Sequence, residues 1–261
     1  MKPVLRYFGG KALLARKIVA LMPKHDIYLE PYGGAATVLL NKPPSETEIY
    51  NDIDNNIVNL FLVLRNEQLT NQLVEQIRLT PFARAEFVQA YQASNDPVES
   101  ARRLVVRSFQ GYSADATTGG TSGFRVDLSG SAIVTWQTVH QRLLRASVRL
   151  RQVVIENKPA LKLIQSLQKR DNTLIYLDPP YLTSTWNDLG NNTGYRHDMA
   201  DSEHAALLNL ILNSNAKIMI SGYLNNLYAD VLKNWHCVKF DTENMRHHPK
   251  SDCVWMNFNP Q

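Results

Sequence analysis

Asp178, Pro179, Pro180 and Tyr181 follow directly on the apolar run Leu174-Ile175-Tyr176-Leu177. Such a run predicts a short buried strand, and two consecutive prolines end it because neither can donate to a ladder. A carboxylate, a carbonyl presented by a rigid turn and an aromatic ring are thereby gathered at the C-terminal edge of a strand, where open α/β sheets bind ligands. The chemistry that these groups suit is recognition of an exocyclic amine on a flat ring. The amine would donate to Asp178 and to the Pro179 carbonyl while its ring stacks on Tyr181. An ordinary strand exit with a surface Asp reads the same over four residues, so the elements around it must decide.

Ile27-Tyr28-Leu29-Glu30 predicts a first strand, followed by the small-residue turn Pro31-Tyr32-Gly33-Gly34-Ala35-Ala36 and a helix to about Asn41. Strand, glycine turn and helix make the geometry of a nucleotide-type cofactor site, in which the glycines admit the ligand and the helix N-terminus favours its anionic group. Glu48 to Asp52 predicts a second strand ending in acid. Asp52 stands about 18 residues beyond the glycine turn, placed to bond the hydroxyls of a ribose. Ahead of these, Tyr7-Phe8-Gly9-Gly10-Lys11 precedes a helix predicted over Ala12 to Leu21. The paired glycines permit close approach and Lys11 can reach an anion, but the P-loop spacing is absent.

Helical patterns follow over Asn55 to Arg65, Glu67 to Gln92 (interrupted at Pro81), Val98 to Phe109 and Ser131 to about Leu150, the last with Trp136, Val139, Leu143 and Leu144 as its apolar stripe. The polar stretch Gly111 to Gly130 has no period and reads as a mobile loop or loose hairpin, with Phe124 and Arg125 as its anchoring pair. Val153 to Glu156 predicts a third strand, and Pro159 opens a helix to about Lys169. After the Asp178 strand, Leu182 to Met199 is a polar loop and Asp201 caps a helix to about Leu212. Lys217 to Gly222 is a strand, Asn225 to Leu232 a short helix, and Trp235 to Asp241 pairs with Cys253 to Phe258 as a terminal hairpin.

The chain has 261 residues, is 44% hydrophobic and 20% charged, and so has the composition of an ordinary globular protein with room for a doubly wound domain and an insertion. No apolar stretch reaches the roughly 20 residues of a membrane span, and Met1 to Arg6 lacks a signal-peptide core. Cys237 and Cys253 have no metal-ligand spacing, and His247-His248 is read as a polar loop, so no metal is expected. The net charge of +4 is unevenly placed: ten arginines and no lysine, against five acids, lie between Arg78 and Arg151. A basic segment in an otherwise near-neutral chain points to a polyanion, with Arg102, Arg103 and Arg107 as leading contacts beside Phe124 and Arg125.

Taken together the motifs resemble the Dam-type DNA adenine-N6 methyltransferases. The resemblance rests on Arg6 to Lys11, Leu29-Glu30-Pro31-Tyr32-Gly33-Gly34, Asn51-Asp52 and Asp178 to Tyr181, with support from Tyr195 to Met199 and Ile220 to Tyr223. It implies an α/β, Rossmann-like methyltransferase sheet from residues 1–66 and 151–261, with a mainly helical target-recognition region inserted at 67–150. It implies S-adenosylmethionine as methyl donor, with Tyr7, Lys11, Glu30, Pro31, Gly33, Gly34, Asp52 and Asp178 at the cofactor and Asp178, Pro179, Pro180 and Tyr181 at the reacting base. Double-stranded DNA is the implied partner, a monomer suffices, and a cytoplasmic enzyme of bacterial or phage type is expected. The absence of a nuclease segment favours a solitary enzyme. Two departures stand out. Ala36 replaces a glycine common in the family's turn, and the 67–150 region shows no match to a target sequence, so GATC specificity does not transfer. Alternatives with the same turn are an RNA adenine or cytosine-N4 methyltransferase, or a non-catalytic DNA-binding relative.

Overall fold

The computed structural model describes residues 1–7, 9–114, 121–126, 128–182, 197–243 and 249–260. Phe8, Gly119-Gly120, Tyr195-Arg196 and His247-His248, all singled out in the sequence, lie outside the described residues. In chain order the elements are α1 (Ala15–Ala20), β1 (Ile27–Glu30), β2 (Thr47–Asn51), α2 (Asn55–Arg65), α3 (Glu67–Leu79), α4 (Arg84–Gln89), α5 (Pro97–Gln110), α6 (Ser131–Gln137) and α7 (Val139–Leu150). There follow β3 (Val153–Glu156), α8 (Ala160–Leu167), β4 (Thr173–Leu177), α9 (Asp201–Leu212), β5 (Lys217–Tyr223), α10 (Asn226–Val231), β6 (His236–Glu243) and β7 (Pro249–Met256).

The strands form one seven-stranded sheet in the order β3-β2-β1-β4-β5-β7-β6. All neighbours run parallel except β7, which is antiparallel to both β5 and β6. The strand order reverses between β1 and β4, which opens a crevice beyond their C-terminal ends. Burial on both faces explains the apolar strand sequences. Tyr28, Tyr50, Tyr176 and Met219 enter one core cluster, whereas Leu29, Ile175, Leu177, Ile218 and Ile220 enter the other. The alternation is that of the pleat. Helices α8, α9 and α10 cover the second face, and the helices of the first half cover the first.

Local capping sets several helix starts. The Asp54 carboxylate accepts from the Asn56 amide at α2, Asn66 from Leu69 at α3, and Asp96 from Glu99 at α5, where Pro97 occupies the first turn. Gln110, fully buried, accepts from the Ala83 amide and donates to the Pro81 carbonyl, which fixes the turn between α3 and α4. Within the 111–130 stretch, Gly111 and Phe124 form an antiparallel bridge.

Four expectations need correction. Residues 35–41 form successive turns instead of a helix, because the Leu39 amide donates to the Glu30 carboxylate and Ala36 adopts a φ of 51°. The first helix begins only at Ala15, since the Lys11 carbonyl takes both the Leu14 and the Ala15 amide. The 131–150 helix breaks at Thr138, whose amide and hydroxyl both bond the Thr135 carbonyl; Leu144 then faces solvent while Ala146 and Leu150 are buried. Asp201 is inside α9, with Ala200 as its cap residue and the Glu203 carboxylate accepting the Ala200 amide.

The boundaries expected at 66/67 and 150/151 fall between elements, but the core crosses them. Leu73, Ile77, Leu104, Val105, Val139 and Leu143 belong to the same cluster as Tyr28, Tyr50 and Tyr176 of the sheet. Helix α5 packs on α2, and α7 on α3. An ion triad reinforces the join. Glu48 of β2 is bonded by Lys42 Nζ at 2.6 Å and by Arg149 of α7 at 2.5 and 2.8 Å, and Arg149 also donates to the Leu39 carbonyl.

Candidate active site

Strand β4 is buried along its whole length and delivers Asp178 to the crevice. Asp178 Oδ1 accepts a bond from Ser221 Oγ on β5 at 2.8 Å and pairs with Lys11 Nζ at 2.7 Å. Burial pushes the Asp178 carboxyl above its ordinary value, and the Lys11 ammonium and the Ser221 hydroxyl act against that rise. Lys11 Nζ also donates to the Gly9 carbonyl at 3.0 Å and to Tyr181 Oη at 2.5 Å. Its ammonium stands 4.8 Å from the Tyr181 ring centre. Tyr181 is buried, with the Tyr223 ring meeting it edge-on at 4.5 Å.

A cavity of about 420 Å³ opens beside this cluster. Its walls include Tyr7, Gly10 and Lys11 from the N-terminal segment, Glu30 to Ala35 from the glycine turn, Asp52 and Asp54, Lys158 to Leu161 at the start of α8, Asp178 and Pro180, and His197 to Met199. The turn cannot carry larger residues. A Cβ at Gly33 would lie 2.0 Å from the Tyr50 ring, and one at Gly34 would lie 2.9 Å from the Tyr7 ring on a backbone with φ of 47°. Tyr50 is itself fixed, because its hydroxyl donates to the Gly34 carbonyl and its ring packs on Phe61.

Ala36 holds a left-handed backbone where glycine is common in the family. That conformation costs about 1–2 kcal/mol with a Cβ. Burial of the methyl, about 0.8 kcal/mol, offsets part of that cost.

Asp52 Oδ2 accepts the Gly34 amide and Oδ1 the Asp54 amide, each at 2.8 Å, which ties the end of β2 to the glycine turn. A carboxylate has about four acceptor positions, so capacity remains toward the cavity. Glu30 Oε2 accepts from the Tyr28 hydroxyl at 2.6 Å and the Leu39 amide at 3.0 Å. Burial pushes Asp52 up to about 6 and Glu30 up to about 8. Both folded carboxyls therefore keep protons that the unfolded chain releases near its ordinary values of 3.8 and 4.5. The folded state then binds more protons, and these two groups lower stability progressively as pH rises from about 4 to about 8. We expect Glu30→Gln to flatten the upper part of that fall. Parallel melting-temperature profiles for the wild type and Glu30→Gln over that window would show that Glu30 is ionised in the fold.

The structure thus brings Tyr7, Lys11, Glu30, Pro31, Gly33, Gly34, Asp52, Asp178 and Pro180 onto one cavity, whereas Pro179 and the buried Tyr181 are not among its lining residues. The arginines are placed differently from the expectation. Arg102 is bonded to Glu99, Glu86 and Thr80, and Arg103 to Glu99 and the Gln92 and Ala93 carbonyls. Arg107 donates to the Ala90 carbonyl and lies over Tyr91. These three guanidinium groups join α4 to α5. Phe124 packs against Phe82 and Phe87 under the Arg84 guanidinium, and Arg125 lies near Arg6. Among the described residues neither Arg84 nor Arg125 forms an ion pair. Sequence reasoning passed over Lys158 and Asp252. Nothing local marks either one, although a lone acid entering an apolar strand was the available signal for Asp252.

Comparison with protein families matches residues 7–251 to the family described as D12 class N6 adenine-specific DNA methyltransferase. Among solved structures, the crystal structure of the SAM-dependent methyltransferase from Agrobacterium tumefaciens is similar at 9% identity with a TM-score of 0.39. The match covers 95% of this chain and 61% of that one, so the chain spans less than two thirds of that protein's length. Comparison with the curated proteins finds no match. The family match runs from the Tyr7 segment through the glycine turn and the Asp178 turn into β7, over a seven-stranded, mostly parallel sheet of the kind typical of S-adenosylmethionine-dependent methyltransferases. This chain belongs to the D12 class N6 adenine-specific DNA methyltransferases.

Proposed function

We propose that the chain transfers a methyl group from S-adenosylmethionine to N6 of adenine in double-stranded DNA. The observation that carries this reading is the meeting of the Asp178 carboxylate and Pro180 with the cavity at the β1/β4 crevice. The cavity fits the donor chemically. Asp54, Asp178, Asp198 and Glu203 on its wall suit a sulfonium and an ammonium, Glu30 and Asp52 add acceptor oxygens, and the glycine turn is a cradle that a Cβ would fill. Asp52 is placed for ribose hydroxyls, and Tyr7 and the start of α8 for the flat and apolar parts. When bound, S-adenosylmethionine supplies an electrophilic methyl group.

The chain's own residues handle the amine. A target adenine leaves the duplex stack at a cost of a few kcal/mol. The Asp178 carboxylate and the Pro179 carbonyl accept its N6 hydrogens, draw the nitrogen toward a pyramidal form and free its lone pair. Asp178 then balances the positive charge developing on N6, and its raised pKa suits it to hold the departing proton. Tyr181 offers its ring to the base.

We assign DNA contact to the surface around Arg125 and the exposed Tyr112, beside Arg84 of α4, which lies over Phe124, and a structural role to Arg102, Arg103 and Arg107. Arg125→Gln is expected to weaken duplex binding and lower its salt slope by about one unit, whereas Arg102→Gln lowers the melting temperature and leaves the slope unchanged. The reverse pattern in binding measured against salt would reassign the two groups. The activity itself is tested by incubating the purified protein with unmethylated genomic DNA and labelled donor, then mapping modified bases. N6-methyladenine at one short motif supports the reading. Transfer to RNA or to cytosine N4, or no transfer, removes it.

A further inference from the structure

The Tyr181 hydroxyl has a second partner besides Lys11. It donates to Asp252 Oδ1 at 3.2 Å, across 71 positions of sequence. Asp252 is brought there by the antiparallel strand. It stands opposite Tyr223 in the β5–β7 register, and Tyr223 is the residue whose ring meets Tyr181 edge-on. The two side chains of that one cross-strand pair therefore hold Tyr181 at two points, the ring by Tyr223 and the hydroxyl by Asp252. The polar groups form one continuous row: Asp178, Lys11, the Tyr181 hydroxyl, Asp252.

From this arrangement we infer that Asp252 is a positioning residue for methyl transfer, acting through the Tyr181 hydroxyl. The inference rests on the activity proposed above. Tyr181 follows two prolines beyond the end of β4. Its hydroxyl and ring are met by side chains of three other segments, Lys11, Asp252 and Tyr223. Lys11 alone would not suffice as an anchor, because it is shared with Asp178 and with the Gly9 carbonyl. A carboxylate on a paired strand is the rigid end of the row. It holds the hydroxyl from β7, while Lys11 and Tyr223 meet the ring.

The test is a double-mutant cycle on turnover with saturating duplex and donor. Removing one hydrogen-bond partner of a positioned group corresponds to roughly a tenfold fall. Asp252→Ala and Tyr181→Phe are each expected to lower kcat about tenfold with KM for the donor little changed, and the double variant is expected to be no slower than either single one. Asp252→Asn, which keeps an acceptor oxygen, is expected to recover most of the rate and serves as the control for folding. Independent, multiplying losses would show that Asp252 acts elsewhere and overturn the inference, as would wild-type turnover in Asp252→Ala. A wild-type protein that transfers no methyl group to DNA would instead remove the activity itself, and the positioning role with it.

Discussion

Replacing Asp178 by alanine is expected to abolish methyl transfer, with a fall in kcat of at least about 10³-fold, while duplex binding stays within a few-fold of wild type. In the proposed reaction the carboxylate both accepts the amine and faces the charge developing on it, so its loss would fall on the transition state. The alanine variant carries a second effect. It leaves the Lys11 ammonium, whose side chain is only 5% exposed, without its carboxylate. Breaking a buried pair costs about 3–5 kcal/mol, reduced here because Asp178 is 20% exposed and because Lys11 keeps Tyr181 and Gly9 as partners. Asp178→Asn separates the two effects, since it keeps the shape and an acceptor oxygen. A stably folded asparagine variant with no turnover would make the loss chemical. Near wild-type turnover in either variant, measured by donor-label transfer to duplex, would end the assignment of Asp178.

The largest effect on stability is expected at Glu48, far in sequence from anything catalytic. Lys42 and Glu48 side chains are each 1% exposed and Arg149 is 12% exposed, so Glu48→Ala strands two cations in the interior. The expected cost is about 3–5 kcal/mol, which lowers the melting temperature by roughly 10 °C in a domain of this size. The pH dependence gives an internal check. Burial pushes the Glu48 carboxyl up, but the Arg149 and Lys42 bonds outweigh it and hold its pKa below the ordinary value. Its contribution is therefore present above the ordinary carboxylate range and lost as pH falls through the depressed folded value. The gap between wild type and Glu48→Gln should close on acidification. A gap that is constant with pH would mean that the triad contributes shape and not charge.

The parts of the fold that were legible are those whose signal is local. β4 announces itself as an apolar run ended by Asp and prolines, and β1 and β2 as short strands ending in acid, so Asp52 and Asp178 could be placed at strand ends from sequence alone. The misread segment after Gly34 had helix-like residues, but the deciding bond comes from Glu30, in a different element, and sequence pattern does not reveal it. The arginine excess was countable while its partners were not weighed. Glu99 stands three and four positions before Arg102 and Arg103, the spacing of helical ion pairs, and that signal favoured an internal role. Asp252 and Arg149 meet their partners across 71 and 101 positions, and only the folded sheet brings them together.

The continuous core beneath α2, α3, α5 and α7 bears on how such an enzyme changes its target. A recognition segment with its own core could be exchanged between relatives as a cassette. Here Leu73, Leu104 and Val139 complete the packing around Tyr28 and Tyr50, and Tyr50 in turn walls the glycine turn. Grafting in a foreign helical segment would empty the interior behind the donor cavity. In the proposed reading new specificity would instead arise where the core ends, at Tyr112 and Arg125, while Phe124 stays fixed against Phe82 and Phe87.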